Sequence, residues 1–313
     1  MTRPARASLP LEVAAVWLLF AVVAVEILVT YSRLPARELY HVSGSGLSGG
    51  ASRALVFSNF PTALVAIVVL VFVADRMSSR MVTAWALVGI ALCAAVFWPG
   101  VVDQADLDAK PVNALAAVGV LIALALTGIV LRQGAAWSGR RAGDRIRAAA
   151  AAGSLFIGLP WIAAELGFFL TGVPGLDRLF QTGQYLPPPS PPAVHHGHHH
   201  GMDGVLLLLG AALLSRVVPA VRRPWLRVAT GVYLALMAAY GIGNIANDAW
   251  GEQVVKRGWT TWEIPNVLRP SLTIAWGVIV LGAAALYAAS AWWSRRSPRE
   301  GITLDPIGDA QHA

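Results

Sequence analysis

The sequence predicts an all-α, polytopic transmembrane helical bundle of about eight spans with N- and C-termini cytoplasmic. Three observations carry this: 56% hydrophobic against only 13% charged residues, apolar runs recurring along 313 residues, and arginines grouped between the runs. A soluble domain carries about 25% charged residues, so lipid is the expected solvent and the bilayer the expected partner. The formal net charge of +7 is spread over short clusters. That is a topology pattern rather than a phosphate-binding face, so no nucleic-acid partner is expected.

A spanning helix needs about 20 mostly apolar residues. Segments near 10–31, 54–74, 81–102, 111–131, 148–171, 203–220, 225–246 and 270–293 qualify, the sixth being the shortest. They form a single integral membrane domain over 1–296, and the polar tail 297–313 is expected to be disordered. The first run is long enough to cross and lacks a clear cleavage site, so it reads as a span rather than a signal peptide.

The intervening charges set the orientation. With the N-terminus inside, sixteen of the 24 Lys and Arg residues fall on the inner side, among them Arg76, Arg80, Arg140, Arg141, Arg216, Arg222 and Arg223. The outer side holds eight, including Arg53, Lys110, Lys256 and Arg269. The two-to-one excess places both ends in the cytoplasm. Abundant Arg and Ala with only two lysines points to a GC-rich bacterial genome, hence to a cell (plasma) membrane. The lone Cys93 excludes an intramolecular disulfide or a Cys-based metal site.

The outer segments differ in character. His41 to Ser52 is Gly/Ser-rich and expected to be flexible. Its Gly44 to Gly49 stretch fits GxGxxG, but no βαβ unit surrounds it, so no NAD is expected. Asp103, Asp106 and Asp108 lack EF-hand spacing and read as solvated. The loop 172–202 contains the Pro187 to Pro192 run, which favours polyproline II, and then a histidine cluster. Trp250, Trp259 and Trp262 suit a segment at the membrane interface.

The cluster His195, His196, His198, His199 and His200, followed by Met202 and Asp203, is the most distinctive motif. Neutral imidazole is the commonest transition-metal ligand, and this donor set suits Zn or Cu. Its bland alternative is a solvated loop, and Asp203 is also placed to N-cap the sixth helix. No histidine lies deep in a span, so a bis-histidine haem is not expected.

Ionisable groups inside spans are functional candidates by default. Glu26 and Glu165 both fall in the outer part of their helices, and Glu165 is the candidate general base. Asn244 and Asp248 are four residues apart and share a face, with Glu252 one turn further if the helix continues. Acid at a helix C-terminus calls for a compensating cation.

Three classes of function fit these residues. The first is extracytoplasmic metal handling or transport by the histidine loop. The second is a metal-dependent membrane enzyme acting on lipid or envelope precursors at the outer leaflet. The third is a non-catalytic scaffold or assembly protein. Nothing in the sequence sets the oligomeric state.

Overall fold

A computed structural model describes residues 9–33, 42–77, 79–98, 108–132, 134–165, 172–181 and 200–296, with the backbone alone at 58, 135, 164–165, 180 and 294–296. Within these the chain is mostly helical, with irregular connections such as 259–273 and a two-residue parallel pairing of Leu9–Pro10 with Ala135–Ala136. The helices are α1 (Leu11–Arg33), α2 (Gly46–Arg76), α3 (Arg80–Phe97), α4 (Pro111–Leu131) and α5 (Asp144–Glu165). They continue with the short α6 (Leu176–Phe180), then α7 (His200–Ser215), α8 (Pro224–Val255) and α9 (Ile274–Arg296).

Seven of these helices are long and apolar enough to cross a membrane. The eighth apolar helix, α7, has 16 residues, about 24 Å at roughly 1.5 Å per residue. It is already helical at His200, so Asp203 lies inside the helix and is not the N-cap. Large apolar side chains such as Leu18, Val22, Leu121, Val278 and Leu281 face outward, the arrangement that lipid contact demands.

The core sits on α2, whose apolar window is 76% buried, whereas that of α9 is only 11% buried. Sequential neighbours pack together (α1 on α2, α3 on α4, α7 on α8), and α5 lies against α7. Small residues permit the closest approaches, as expected where van der Waals packing rather than hydrophobicity joins helices. A Cβ on Gly204 would come within 2.6 Å of the Gly241 carbonyl, and one on Gly241 within 2.7 Å of the Gly204 carbonyl. Gly50 plays the same part on α2, where a Cβ would collide with the Leu28 carbonyl and the Ser32 hydroxyl of α1. This corrects the expectation of a flexible loop there: from Gly46 on, the Gly/Ser-rich stretch is helix, and its glycines let α2 lie flush against α1.

Pro61 lies inside α2, where it cannot donate to the helical ladder; the chain widens into a π-turn over Ser58–Thr62. Asn59 Nδ2 donates to the Leu55 carbonyl beside it (2.9 Å). Lateral polar bonds join other spans: Trp17 Nε1 donates to Thr127 Oγ1 (3.2 Å) and the Tyr233 hydroxyl to the Leu64 carbonyl (3.1 Å).

Polar side chains gather at both ends of the bundle. At the end where α1 and α5 begin and α7 finishes, Glu12 is fully buried. It accepts from Arg216 Nε (3.1 Å) and from the Ser138 amide (3.1 Å). Arg216 also pairs with Asp144 and donates to the Ser138 carbonyl (2.9 Å), while Arg147 Nε donates to Ser215 Oγ (2.7 Å). Asp75 accepts from the Arg222 amide (2.6 Å), tying α2 to the turn before α8. At the opposite end Asp108 accepts from the Ser43 amide (3.0 Å), and Ser52 Oγ accepts from the Ala109 amide (2.8 Å). Asp108 is therefore a loop tie rather than a merely solvated acid; Asp103 and Asp106 lie outside the described residues.

Candidate functional site

The second polar end contains a cluster of buried ionisable side chains. Helices α2 and α8, of 31 and 32 residues, both pack against α7. Gly201 lies against Asp248 near the end of α8, which still has two turns to go. The first turn of α7 is consequently enclosed: His200 is 7% exposed and Asp203 9%.

His200 Nε2 lies 2.9 Å from Asn247 Oδ1 and 3.2 Å from Asp248 Oδ1. The amide of Asn247 has its orientation fixed from the other side, because Nδ2 donates to the Ile264 carbonyl. Oxygen is therefore what it offers to the imidazole, and an amide oxygen only accepts. Nε2 must carry the hydrogen. In a neutral ring the lone pair then belongs to Nδ1, which is the tautomer a second-shell acceptor imposes on a metal-ligating histidine.

The surrounding carboxylates are more deeply buried still. Asp248 is 2% exposed and Glu252 1%, as the i, i+4 spacing from Asn244 anticipated once α8 continued through a π-turn to Val255. The compensating cation at this C-terminus is Lys256, whose Nζ lies 2.6 Å from Glu252 Oε1. On α2, Arg53 is buried with its guanidinium 5.7 Å from the Tyr31 ring centre, and its charge acts on Asp203. Asp203, Asp248 and Glu252 thus share this end of the bundle with two cationic side chains, Arg53 and Lys256. Two acceptors, Asp203 Oδ1 and Asn244 Oδ1, are buried with no hydrogen-bond partner among the described residues. Asn244 Nδ2 meanwhile donates to the Tyr240 carbonyl (3.1 Å).

The structure thus brings together His200, Asp203, Asn244 and Asp248 from the expected set. His195, His196, His198 and His199 lie outside the described residues, as does the Glu165 side chain at the end of α5. Glu26 is half-buried on α1 and accepts from Thr30 Oγ1 of its own helix (2.6 Å); no bond among the described residues links it to His200. Arg53 and Asn247 were not singled out in the sequence. Arg53 follows a Gly/Ser-rich stretch that reads as a loop, and Asn247 lies a quarter-turn off the Asn244–Asp248 face. Among the described residues, no group of three or more His, Cys, Asp or Glu is placed to hold a metal ion. No family model, curated protein or solved structure matches the chain.

Proposed function

We propose that this is a bacterial plasma-membrane protein of eight spans, α7 being the short one, that captures a transition-metal ion on its extracytoplasmic side. Both termini lie in the cytoplasm in this reading. The ligands come from His195, His196, His198, His199 and His200, and Zn²⁺ or Cu²⁺ suits them. The observation that carries the proposal is the Asn247–His200 hydrogen bond, which holds the hydrogen on Nε2 and so puts the lone pair of the neutral ring on Nδ1. His199 and His198 are the next residues along the chain, so an ion on His200 has further imidazoles within covalent reach. Asp203 Oδ1 is a buried acceptor that a metal-bound water would satisfy.

Competitive titration of the purified full chain with Zn²⁺ and Cu²⁺ tests this. His200→Ala should weaken binding, and Asn247→Leu, which removes no ligand, should weaken it about 10- to 100-fold, the usual effect of losing an orienting partner. Affinity should also fall as pH is lowered, because the ligating imidazoles must be neutral. Equal affinities for the wild type and Asn247→Leu would remove the basis of the proposal.

A further inference from the structure

The segment that joins α4 to α5 is tied down along its length and carries charge that the fold does not use. Ala135–Ala136 pair with Leu9–Pro10, and the Ser138 amide donates to Glu12 (3.1 Å). Arg216 Nη2 donates to the Ser138 and Gly139 carbonyls (2.9 and 3.2 Å), and Arg147 Nη1 to that of Ala142 (2.7 Å). The Arg141 amide donates to Asp144 Oδ2 (2.9 Å), closing the turn before α5.

Arg140, Arg141 and Arg145 extend from this braced backbone. All three are exposed, and among the described residues no hydrogen bond or ion pair engages their guanidinium groups. The two carboxylates here are already bonded: Glu12 pairs with Arg216, and Asp144 with Arg216 and Arg147. Met1 to Ser8, which lead into the paired strand, add Arg3 and Arg6 and contain no acid. Nor do the three arginines serve α5, since a cation is disfavoured near a helix N-terminus. Trp137 and Ile146 lie among them in the sequence, 58% and 55% exposed. Exposed indole and aliphatic groups interleaved with arginine, at the end of a bundle of apolar helices, make up a membrane–water interface.

We infer that this segment binds an anionic phospholipid, its phosphate held by Arg140, Arg141 and Arg145 and its glycerol and upper chain against Trp137 and Ile146. Neighbouring guanidinium groups suit a phosphate because each offers several donors and a permanent charge. A zwitterionic lipid presents the same chains but no net charge to the arginines. The inference requires only that this end of the bundle meets a membrane surface, whichever side that is, and it is independent of metal capture at the opposite end.

Native mass spectrometry of the full chain in detergent, with phosphatidylglycerol and phosphatidylcholine at equal concentration, tests it. The wild type should retain phosphatidylglycerol at least about tenfold in preference to phosphatidylcholine. Arg140→Gln with Arg141→Gln should remove most of that preference, and Trp137→Ala should weaken retention of both lipids. Arg222→Gln with Arg223→Gln, at the same end of the bundle, removes equal charge and should leave the preference in place. Inorganic phosphate in large excess should not displace the lipid. Equal loss in the two double variants would mean that net charge rather than this segment selects the lipid, and would overturn the proposal. So would displacement by inorganic phosphate, or an undiminished preference in Arg140→Gln with Arg141→Gln.

Discussion

Asn247 reaches the Ile264 carbonyl with its nitrogen and His200 with its oxygen, so a neighbouring amide decides which imidazole nitrogen carries the hydrogen. Such a role depends on a tertiary contact between α8 and the segment before α9, and no spacing in the sequence encodes it. Asn244, Asp248 and Glu252 were legible because an i, i+4 repeat of polar residues at the end of an apolar run has one helical face to occupy. Glu12 shows the opposite case. Its position near the start of α1 suggests only a favourable helix dipole, whereas the folded chain buries it completely against Arg216, more than two hundred residues away. Arg216→Ala removes the charged partner of that buried carboxylate, and should cost on the order of 3 kcal/mol, read as a lowered midpoint in thermal unfolding of the detergent-solubilised protein. Replacing both partners, with Glu12→Gln added to Arg216→Ala, should recover part of the loss. A double variant no more stable than Arg216→Ala alone would mean that the pair is not the source of the effect.

At the scale of elements, the α7–α8 pair positions the site, and its glycines govern the spacing. Gly204→Leu would drive a side chain into the Gly241 backbone, which cannot rotate away as a flexible side chain would. The helices must then separate, moving His200 from Asn247 and Asp248. Loss of both thermal stability and metal affinity is expected for Gly204→Leu. Gly153→Ala on α5 is the control, because its Cβ meets nothing within 4 Å; it should be neutral or stabilising by up to about 1 kcal/mol from helix propensity. Equal destabilisation by the two changes would argue against close packing at Gly204. The sequence located these helices well, since apolar length is a property of the chain itself. It misjudged where α2 and α7 start. Glycine-rich helix that packs closely on a neighbour has the composition of a loop, and the partner that makes it helical is not visible locally.

The whole molecule is organised as two polar ends joined by apolar helices, one built on Glu12, Arg216, Asp144 and Asp75, the other on His200, Asp248, Glu252 and Arg53. The alternation of arginine-rich and arginine-poor segments anticipated this division, because successive spans must return the chain to opposite ends. The charge excess is the ground for proposing which end faces the cytoplasm, and a labelling experiment checks it. Cysteines introduced at Ser190 and Gly139, in a Cys93→Ala background, should react with a membrane-impermeant maleimide from opposite sides, Ser190 from outside intact cells. Labelling of both from one side would refute the eight-span arrangement.

The central claim is that the histidine-bearing end captures a metal. Elemental analysis of the full chain, purified without chelator or added metal, tests it most directly when set beside a variant with His195, His196, His198, His199 and His200 all changed to Ala. The account predicts near-stoichiometric Zn or Cu in the wild type and almost none in the variant. Equal metal content in the two proteins, or none in either, would contradict it.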